Sequence, residues 1–167
     1  MKNSYFEKRE IDCQERLNNV VKDMPYYAED FFIGIENRCS VLTRLNYAYD
    51  LRVFFIFLTK KIYRSKKMVE ITLEDLANLQ ASDIEYFLSY LNHHEVNGKM
   101  ERCTETGKAR KLSSLRAFYK FFFNKNLLPA NTPTKVSMPK IHEKEIIRLD
   151  TNDKVDEIGD MLYVVET

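Results

Sequence analysis

Residues 109–121 read Ala-Arg-Lys-Leu-Ser-Ser-Leu-Arg-Ala-Phe-Tyr-Lys-Phe, a pattern that indicates a helical fold. Its apolar residues recur every three or four positions, a spacing that places their side chains along one face of an α-helix. This inner stripe consists of Leu112, Leu115, Tyr119 and Phe122. The opposite side carries short or basic side chains, namely Arg110, Ser113, Ser114, Ala117 and Lys120. The pattern predicts a helix over about residues 106–124 with one buried face and one basic, short-chained face.

A second helix of similar strength is predicted from about residue 40 to about residue 63. Its inner stripe consists of Tyr47, Leu51, Phe54 and Leu58. Ser40 stands at the expected N-cap, where its hydroxyl oxygen can accept a hydrogen bond from a free backbone amide. Residues 54–58 are apolar all round, which predicts burial on more than one side of the helix.

Weaker signals lie between these two helices. Thr72 is predicted to open a short helix, and Ser82 followed by Glu85 has the capping-box spacing that opens another. Residues 92–105 are polar and contain Gly98, so they are predicted to form a loop.

The chain is expected to divide into four parts. Residues 1–36 are predicted to be an N-terminal helical arm and residues 37–128 the main domain. Residues 129–149, with three prolines, are predicted to be an extended linker, and residues 150–167 the start of a further, truncated domain.

The arm has two sequence signals of its own. A weak helical period over residues 8–22 runs through Ile11, Leu17 and Val21. An apolar patch, which we expect to pack the arm against the main domain, consists of Tyr26, Tyr27, Phe31 and Phe32.

Positive charge is concentrated in the two predicted long helices, although the net charge of the whole chain is only +1. Residues 38–67 contain eight basic residues and one acidic residue, and residues 104–128 contain six basic residues and one acidic residue. If these segments lie side by side, they form one basic face on a nearly neutral protein, as expected of a nucleic-acid-binding surface. The alternative is an uneven distribution of charge on two solvated helices.

Composition favours a helical protein without membrane segments. Hydrophobic residues make up 44% of the 167 residues and charged residues 31%, with only four glycines and four prolines. No apolar run approaches the ~20 residues that span a bilayer, and the charged N-terminus does not resemble a secretory signal. Cys13, Cys39 and Cys103 are widely spaced, which predicts reduced thiols in a cytoplasmic protein. Because His93, His94 and Cys103 lack zinc-site spacing, we expect no metal and no cofactor.

Three segments resemble the core-binding (SAM-like) domain of tyrosine recombinases, the phage-type integrases. They are residues 109–121, residues 43–58 (Thr-Arg-Leu-Asn-Tyr-Ala-Tyr-Asp-Leu-Arg-Val-Phe-Phe-Ile-Phe-Leu) and residues 138–150 (Met-Pro-Lys-Ile-His-Glu-Lys-Glu-Ile-Ile-Arg-Leu-Asp). The third is similar to the segment that joins the core-binding and catalytic domains in integrases of low-GC Gram-positive bacteria. The resemblance implies an all-α fold, a four- to five-helix SAM-like core-binding bundle with an N-terminal helical arm and a C-terminal linker. It also implies that the bundle forms half of a clamp around duplex DNA, with its first and last long helices near the major groove.

The resemblance does not extend to the catalytic residues of the family. Those enzymes cleave DNA with two arginines, a lysine, a His-x-x-Arg pair, a second His or Trp, and a nucleophilic tyrosine. No histidine here is followed by arginine at the third position, where the residues are Val96, Asn97 and Glu145. We therefore expect this chain to bind DNA without catalysis, the chemistry belonging to a catalytic domain that the chain lacks.

Ten residues of the two helices are predicted to contact DNA. They are Thr43, Arg44, Arg52, Lys108, Arg110, Lys111, Ser113, Ser114, Arg116 and Lys120. Arg116 lies near the flank of the inner stripe, where its stem could pack instead. Five basic residues after the first helix are expected to add long-range attraction but little sequence information, namely Lys60, Lys61, Arg64, Lys66 and Lys67.

The predicted partners are duplex DNA and, in the full-length protein, other recombinase subunits, with no membrane and no small-molecule substrate. The alternative is a helical protein-interaction module that does not engage DNA. Its basic face would then meet an acidic protein, and its aromatic arm a neighbouring subunit.

Overall fold

The computed structural model describes residues 2–141 of the chain, with side-chain environments given from residue 4 onward. In this part of the chain, two arm helices precede four further helices and one small β-hairpin, which confirms the predicted all-α class. None of the described helices is long and apolar enough to cross a bilayer. The helix expected to begin near residue 150 lies outside the described residues.

The residues predicted to form the arm contain α1 (Lys2–Val21) and α2 (Tyr26–Gly34). The buried stripe of α1 is Cys13, Leu17 and Val20, whereas Ile11, expected in this stripe, is 59% exposed. Three residues of the apolar patch in α2 are buried as predicted, but Tyr26 is 80% exposed. Consecutive helical residues point about 100° apart, so Tyr26 cannot share the direction of its buried neighbour Tyr27.

The first long helix, α3 (Val41–Phe57), begins at the predicted cap, because Ser40 Oγ accepts a hydrogen bond of 3.1 Å from the backbone amide of Thr43. A π-helical turn, Leu58–Ile62, continues it. The predicted burial of its apolar end is confirmed, since all but one of residues 54–58 are fully buried.

A 3-10 turn (Met68–Glu70) leads to two shorter helices, α4 (Leu73–Ala77) and α5 (Ala81–Tyr90). Thr72 caps α4 as predicted. The prediction that Ser82 caps the next helix is wrong, because α5 already begins at Ala81, with Gln80 as its cap residue. The backbone amide of Gln80 donates to the Asp83 carboxylate at 2.8 Å, which satisfies this amide without Ser82.

The segment predicted as a loop contains a β-hairpin, so that prediction is wrong. Strands β1 (His94–Val96) and β2 (Lys99–Glu101) pair antiparallel, with His94 opposite Glu101. The two residues between them, Asn97 and Gly98, have φ angles of 54° and 82°. Asn-Gly favours this tight turn because both central residues need positive φ.

The last long helix, α6 (Glu105–Asn124), begins at the cap residue Thr104, whose hydroxyl accepts from the Gly107 amide at 3.0 Å. The inner stripe of this helix is buried as predicted. Ser114, however, is 1% exposed, so its predicted place on the outer face is wrong. The reason is a polar contact with α3, which buries one edge of α6 beyond its apolar stripe.

The segment after α6 is not wholly extended, contrary to prediction. It contains a 3-10 helix (Thr132–Lys135), and Val136 after it is buried. Arg116 holds this segment against α6, since its guanidinium donates to the carbonyl oxygens of Pro133 at 3.2 Å and Val136 at 2.6 Å.

Aromatic rings fill the centre of the bundle. Tyr27, Phe55 and Phe118 pack against one another with ring centroids 6.1–6.5 Å apart. The hydroxyl of Tyr27 donates to the carbonyl of Ile71, and the hydroxyl of Tyr119 to that of Leu76. Because burial disfavours the phenolate, the pKa of both tyrosines is raised well above its ordinary value. These buried contacts hold the arm and the short helices in fixed positions around α3 and α6.

Candidate nucleic-acid interface

The two basic segments of the sequence come together where α3 packs against α6. Asp50 of α3 contacts Arg110 near the start of α6. Tyr47, one turn earlier in α3, lines the same groove as Lys120 and Phe121 near the end of α6. The two helices therefore contact each other at both positions, and their exposed faces adjoin.

Asp50 joins the two helices through its carboxylate. The side chain is 2% exposed. Arg110 donates to it from Nε at 3.2 Å and from Nη2 at 2.8 Å, and the Ser114 hydroxyl donates at 2.7 Å. Lys111 Nζ lies 3.6 Å away. The single acidic residue of the first basic segment is thus turned inward and paired with the second segment.

Arg110 is held by this carboxylate and still reaches solvent. Its side chain is 59% exposed. The hydrogen bond to Asp50 raises the pKa of Arg110, and this effect outweighs the opposing effect of burial. The guanidinium is therefore a permanently charged group with a fixed orientation at the surface.

We define the exposed α3–α6 surface as Asn46, Tyr49, Arg110, Ser113 and Lys120. Tyr49 is 41% exposed, and the other four side chains are exposed as well. Asn46 and Tyr49 are three positions apart in α3, and Arg110 and Ser113 are three apart in α6, so each pair shares a helix face. The surface combines two cations, an aromatic ring and short polar groups.

Five of the ten predicted contact residues are exposed. They are Thr43, Arg52, Arg110, Ser113 and Lys120. Thr43 already accepts a hydrogen bond from the Ser40 hydroxyl in the α3 cap. Arg52 lies about 160° around α3 from Asp50, at 100° per residue, so it points away from the contact with α6.

The other five predicted residues are engaged inside the fold. Lys108 is 8% exposed, and its ammonium contacts the Asn92 side chain at 2.8 Å and Glu105 at 2.7 Å. Ser114 and Lys111 contact Asp50, and the Lys111 side chain is only 13% exposed. The spacing along the helix placed Ser114 on the outer face, but the carboxylate of Asp50 holds Ser114 and Lys111 inward, and Glu105 pairs with Lys108.

Arg44 and Arg116 also have structural surroundings. Arg44 is 7% exposed, and its Nε has no hydrogen-bond partner. Arg116 is half-buried, and its guanidinium donates to two carbonyl oxygens after α6, a contact that the sequence did not indicate. Whether any of the ten residues contacts DNA stays a prediction.

Asn46 and Tyr49 were not singled out from the sequence. Both residues lie between the apolar positions of α3, and this position on the helix already indicates exposure to solvent. The basic residues Arg44 and Arg52 on either side are the more obvious candidates for DNA contact.

Two of the basic residues after α3 already contact acidic side chains. Lys60 Nζ lies 3.8 Å from the Glu95 carboxylate, and Lys66 pairs with Asp75. Burial of Asp75 opposes its ionisation, but hydrogen bonds from Lys66 and Thr72 outweigh burial and lower the pKa of this carboxyl. Within residues 2–141, no group of three or more His, Cys, Asp or Glu side chains is placed to hold a metal ion.

Comparison with known proteins identifies this arrangement. Residues 28–126 match the family model described as phage integrase, N-terminal SAM-like domain. The chain belongs to this family. The match starts within α2 and ends just after α6, so it contains every residue of the exposed α3–α6 surface.

Curated relatives of this SAM-like domain are tyrosine recombinases of bacteria. The tyrosine recombinase XerC of Leptospira interrogans is 30% identical over 131 residues, which is 78% of this chain and 35% of the relative. The XerC of Syntrophus aciditrophicus is 31% identical over 111 residues, 66% of this chain and 33% of the relative. The XerC of Oceanobacillus iheyensis is 24% identical over 150 residues, 83% of this chain and 44% of the relative. The chain therefore spans about a third to two fifths of the length of these relatives. No solved structure matches the chain.

Proposed function

We propose that this chain is the DNA-binding module of a site-specific tyrosine recombinase and that its exposed α3–α6 surface lies against duplex DNA. The module would hold one side of a recombination half-site while a catalytic domain acts from the other. The family supports DNA as the partner, and the charge distribution supports this particular surface.

One observation carries the proposal, namely that α3 and α6 place the two basic segments next to each other. Their two acidic residues are both paired within the fold, Asp50 with Arg110 and Glu105 with Lys108. Asp50 also lies 3.6 Å from Lys111 Nζ, so Arg110, Lys111 and Asp50 together keep one net positive charge, and the exposed Lys120 adds another. Such a face attracts the phosphate backbone and releases its counterions.

The side chains of the surface suit close approach to a duplex. Ser113 and the half-exposed Ala117 are short, so the α6 backbone can lie near a groove edge. Arg110 uses two N–H groups on Asp50, which leaves three of the five guanidinium donors for phosphate or a guanine edge. Asn46 and Tyr49 add hydrogen-bonding groups that can reach bases or phosphates from α3.

A salt titration of binding to a duplex of random sequence tests the proposal. We expect the logarithm of the association constant to fall linearly with the logarithm of salt concentration, at about 0.9 per neutralised phosphate. Lys120→Glu should reduce the slope by about one and weaken binding, since it removes one cation and adds an anion. Lys8→Glu, an equal charge change on the exposed start of α1, is the matched control.

Reversal of Arg110 would be a poor test, because a glutamate there would face the buried Asp50 carboxylate and disturb the fold. Absence of binding by the unaltered chain at low salt would contradict the proposal, as would a salt slope near zero. Equal losses in the Lys120 and Lys8 variants would contradict the choice of surface.

We further propose that this chain performs no strand cleavage by itself. The sequence lacks the His-x-x-Arg pair of the family, and in the described part of the chain the hydroxyls of the buried Tyr27 and Tyr119 donate to backbone carbonyls. A nicked suicide substrate should therefore yield no covalent protein–DNA adduct. Formation of such an adduct would assign catalysis to this chain.

A protein-interaction role has separate support in the arm. Its exposed aromatic side chains are Tyr5, Phe6 and Tyr26, which are 67%, 62% and 80% exposed. Aromatic rings of this kind are enriched where proteins meet, so we propose that the arm contacts a neighbouring recombinase subunit on DNA. Tyr26→Ser should then weaken cooperative binding to a duplex with two half-sites and leave binding to one half-site unchanged.

A further inference from the structure

The β-hairpin between α5 and α6 projects from the bundle on a fixed base. His94 is 8% exposed, its Nδ1 lies 3.1 Å from the Leu91 carbonyl oxygen, and its ring lies 5.4 Å from that of Tyr90. Tyr90 in turn packs on the fully buried Phe57. The Cys103 amide closes the base with a 2.8 Å hydrogen bond to Leu91. The hairpin is thus held in one orientation relative to the core.

The outer half of the hairpin has little contact with the rest of the fold. All three residues of β2 are exposed, and Met100 is 55% exposed. A side chain added at Gly98 would meet nothing within 4 Å. The outer half of the hairpin is therefore accessible to another molecule.

The hairpin stands at one end of the exposed α3–α6 surface. β2 ends three residues before the cap residue of α6. A carboxylate oxygen of Glu95 in β1 lies 3.8 Å from Nζ of Lys60, in the π-helical turn that continues α3. The hairpin and the residue after it contain two basic residues, Lys99 and Arg102, and two acidic residues, Glu95 and Glu101. Lys60 adds a third cation and partly offsets the charge of Glu95.

We infer that the hairpin tip enters the minor groove next to the DNA segment covered by the exposed α3–α6 surface, with Asn97 and Lys99 at the base edges and Met100 against a base step. The inference rests on the proposed function. Minor-groove proteins use lysine and asparagine to read A·T against G·C and insert apolar side chains between base steps. Two-stranded β-ribbons can read either groove of a duplex.

Duplexes that differ only in the minor groove test this inference. Alternating dI·dC and dG·dC duplexes present the same major-groove edges, but only guanine carries the 2-amino group in the minor groove. We expect the unaltered chain to bind dI·dC several-fold more tightly. The double variant Lys99→Ala/Met100→Ala should bind dI·dC roughly tenfold more weakly, the size of one good groove contact, and should lose the preference.

The matched control is Lys8→Ala/Ile11→Ala, which removes an exposed lysine and a 59% exposed apolar side chain from α1. It should keep both affinity and preference. Lys99→Glu, which keeps Met100, gives a second readout, and the melting temperatures of all variants check that the fold is intact.

Two results would overturn the inference while leaving the proposed function in place. One is equal binding of both duplexes by the unaltered chain, and the other is unchanged affinity and preference in the hairpin variants. Failure of the unaltered chain to bind either duplex would overturn the proposed function together with this inference.

Discussion

Arg110 of α6 donates two hydrogen bonds to the carboxylate of Asp50 in α3, a residue 60 positions earlier in the chain. The carboxylate is buried, whereas the guanidinium is more than half exposed. Asp50 therefore lies in the interior of the bundle, and Arg110 lies on its basic surface. Packing of α3 on α6 and presentation of Arg110 are consequences of the same contact.

Asp50→Ala should destabilise the fold by about 2–3 kcal/mol, because it removes the acceptor for the buried Ser114 hydroxyl and for Arg110. Asp50→Asn should cost roughly half as much, since the amide oxygen can still accept from Ser114. Urea unfolding measures both changes. Asp30→Ala, at an exposed position of α2, is the control and should change stability by less than about 0.5 kcal/mol. Equal stability of the Asp50 and Asp30 variants would show that the buried carboxylate has no net role.

Arg116→Ala should release the segment after α6 without altering DNA affinity. The substitution removes both hydrogen bonds to the carbonyl oxygens of Pro133 and Val136, so faster proteolysis near residues 130–137 is expected. Stability should fall by about 1–2 kcal/mol. The salt slope for duplex binding should match that of the unaltered chain. A slope reduced by about one would instead assign Arg116 a phosphate contact.

Acid should weaken the contact between Lys66 and Asp75. The folded-state pKa of Asp75 is lowered, so its ionised form adds stability above the unfolded pKa, and this contribution is lost as the pH falls through the folded value. Asp75→Asn should therefore destabilise the chain at pH 7 and flatten the decline of stability below about pH 4. Thermal unfolding at a series of pH values measures this. Glu74→Gln, on the exposed side of the same helix, should keep the full acid dependence.

Thr104→Ala should cost about 1 kcal/mol, because the Thr104 hydroxyl is the side-chain acceptor for the Gly107 amide at the start of α6. Thr104→Ser should retain most of this stability. Thr106→Ala, at an exposed position in the first turn, provides the comparison. If the Thr104 and Thr106 alanine variants unfold at the same denaturant concentration, the cap contributes nothing measurable.

The sequence also contained signals that only became clear with the structure. Asn97-Gly98 is a strong hairpin turn, but residues 94–96 and 99–101 on either side contain only one apolar residue each, Val96 and Met100, too few to show the alternation of a strand. Their pairing depends on a base fixed by His94 against Tyr90, a contact between side chains of separate elements. The cap of α5 similarly depends on whether Asp83 or Glu85 reaches a free backbone amide at the helix start, and in the structure Asp83 accepts from the backbone amide of Gln80.

The sequence predicts the pair of long helices, their buried stripes, the Ser40 and Thr72 caps and the separation of charge into two basic segments. These features follow from periodicity and from interactions within a few residues along the chain. Which basic residues face solvent depends instead on how the helices pack. Lys111 and Ser114 are drawn inward and Arg110 stays at the surface because Asp50, distant in sequence, lies against that edge of α6. Burial of a polar side chain depends on the partner that another helix brings to it, and helical periodicity does not contain that information.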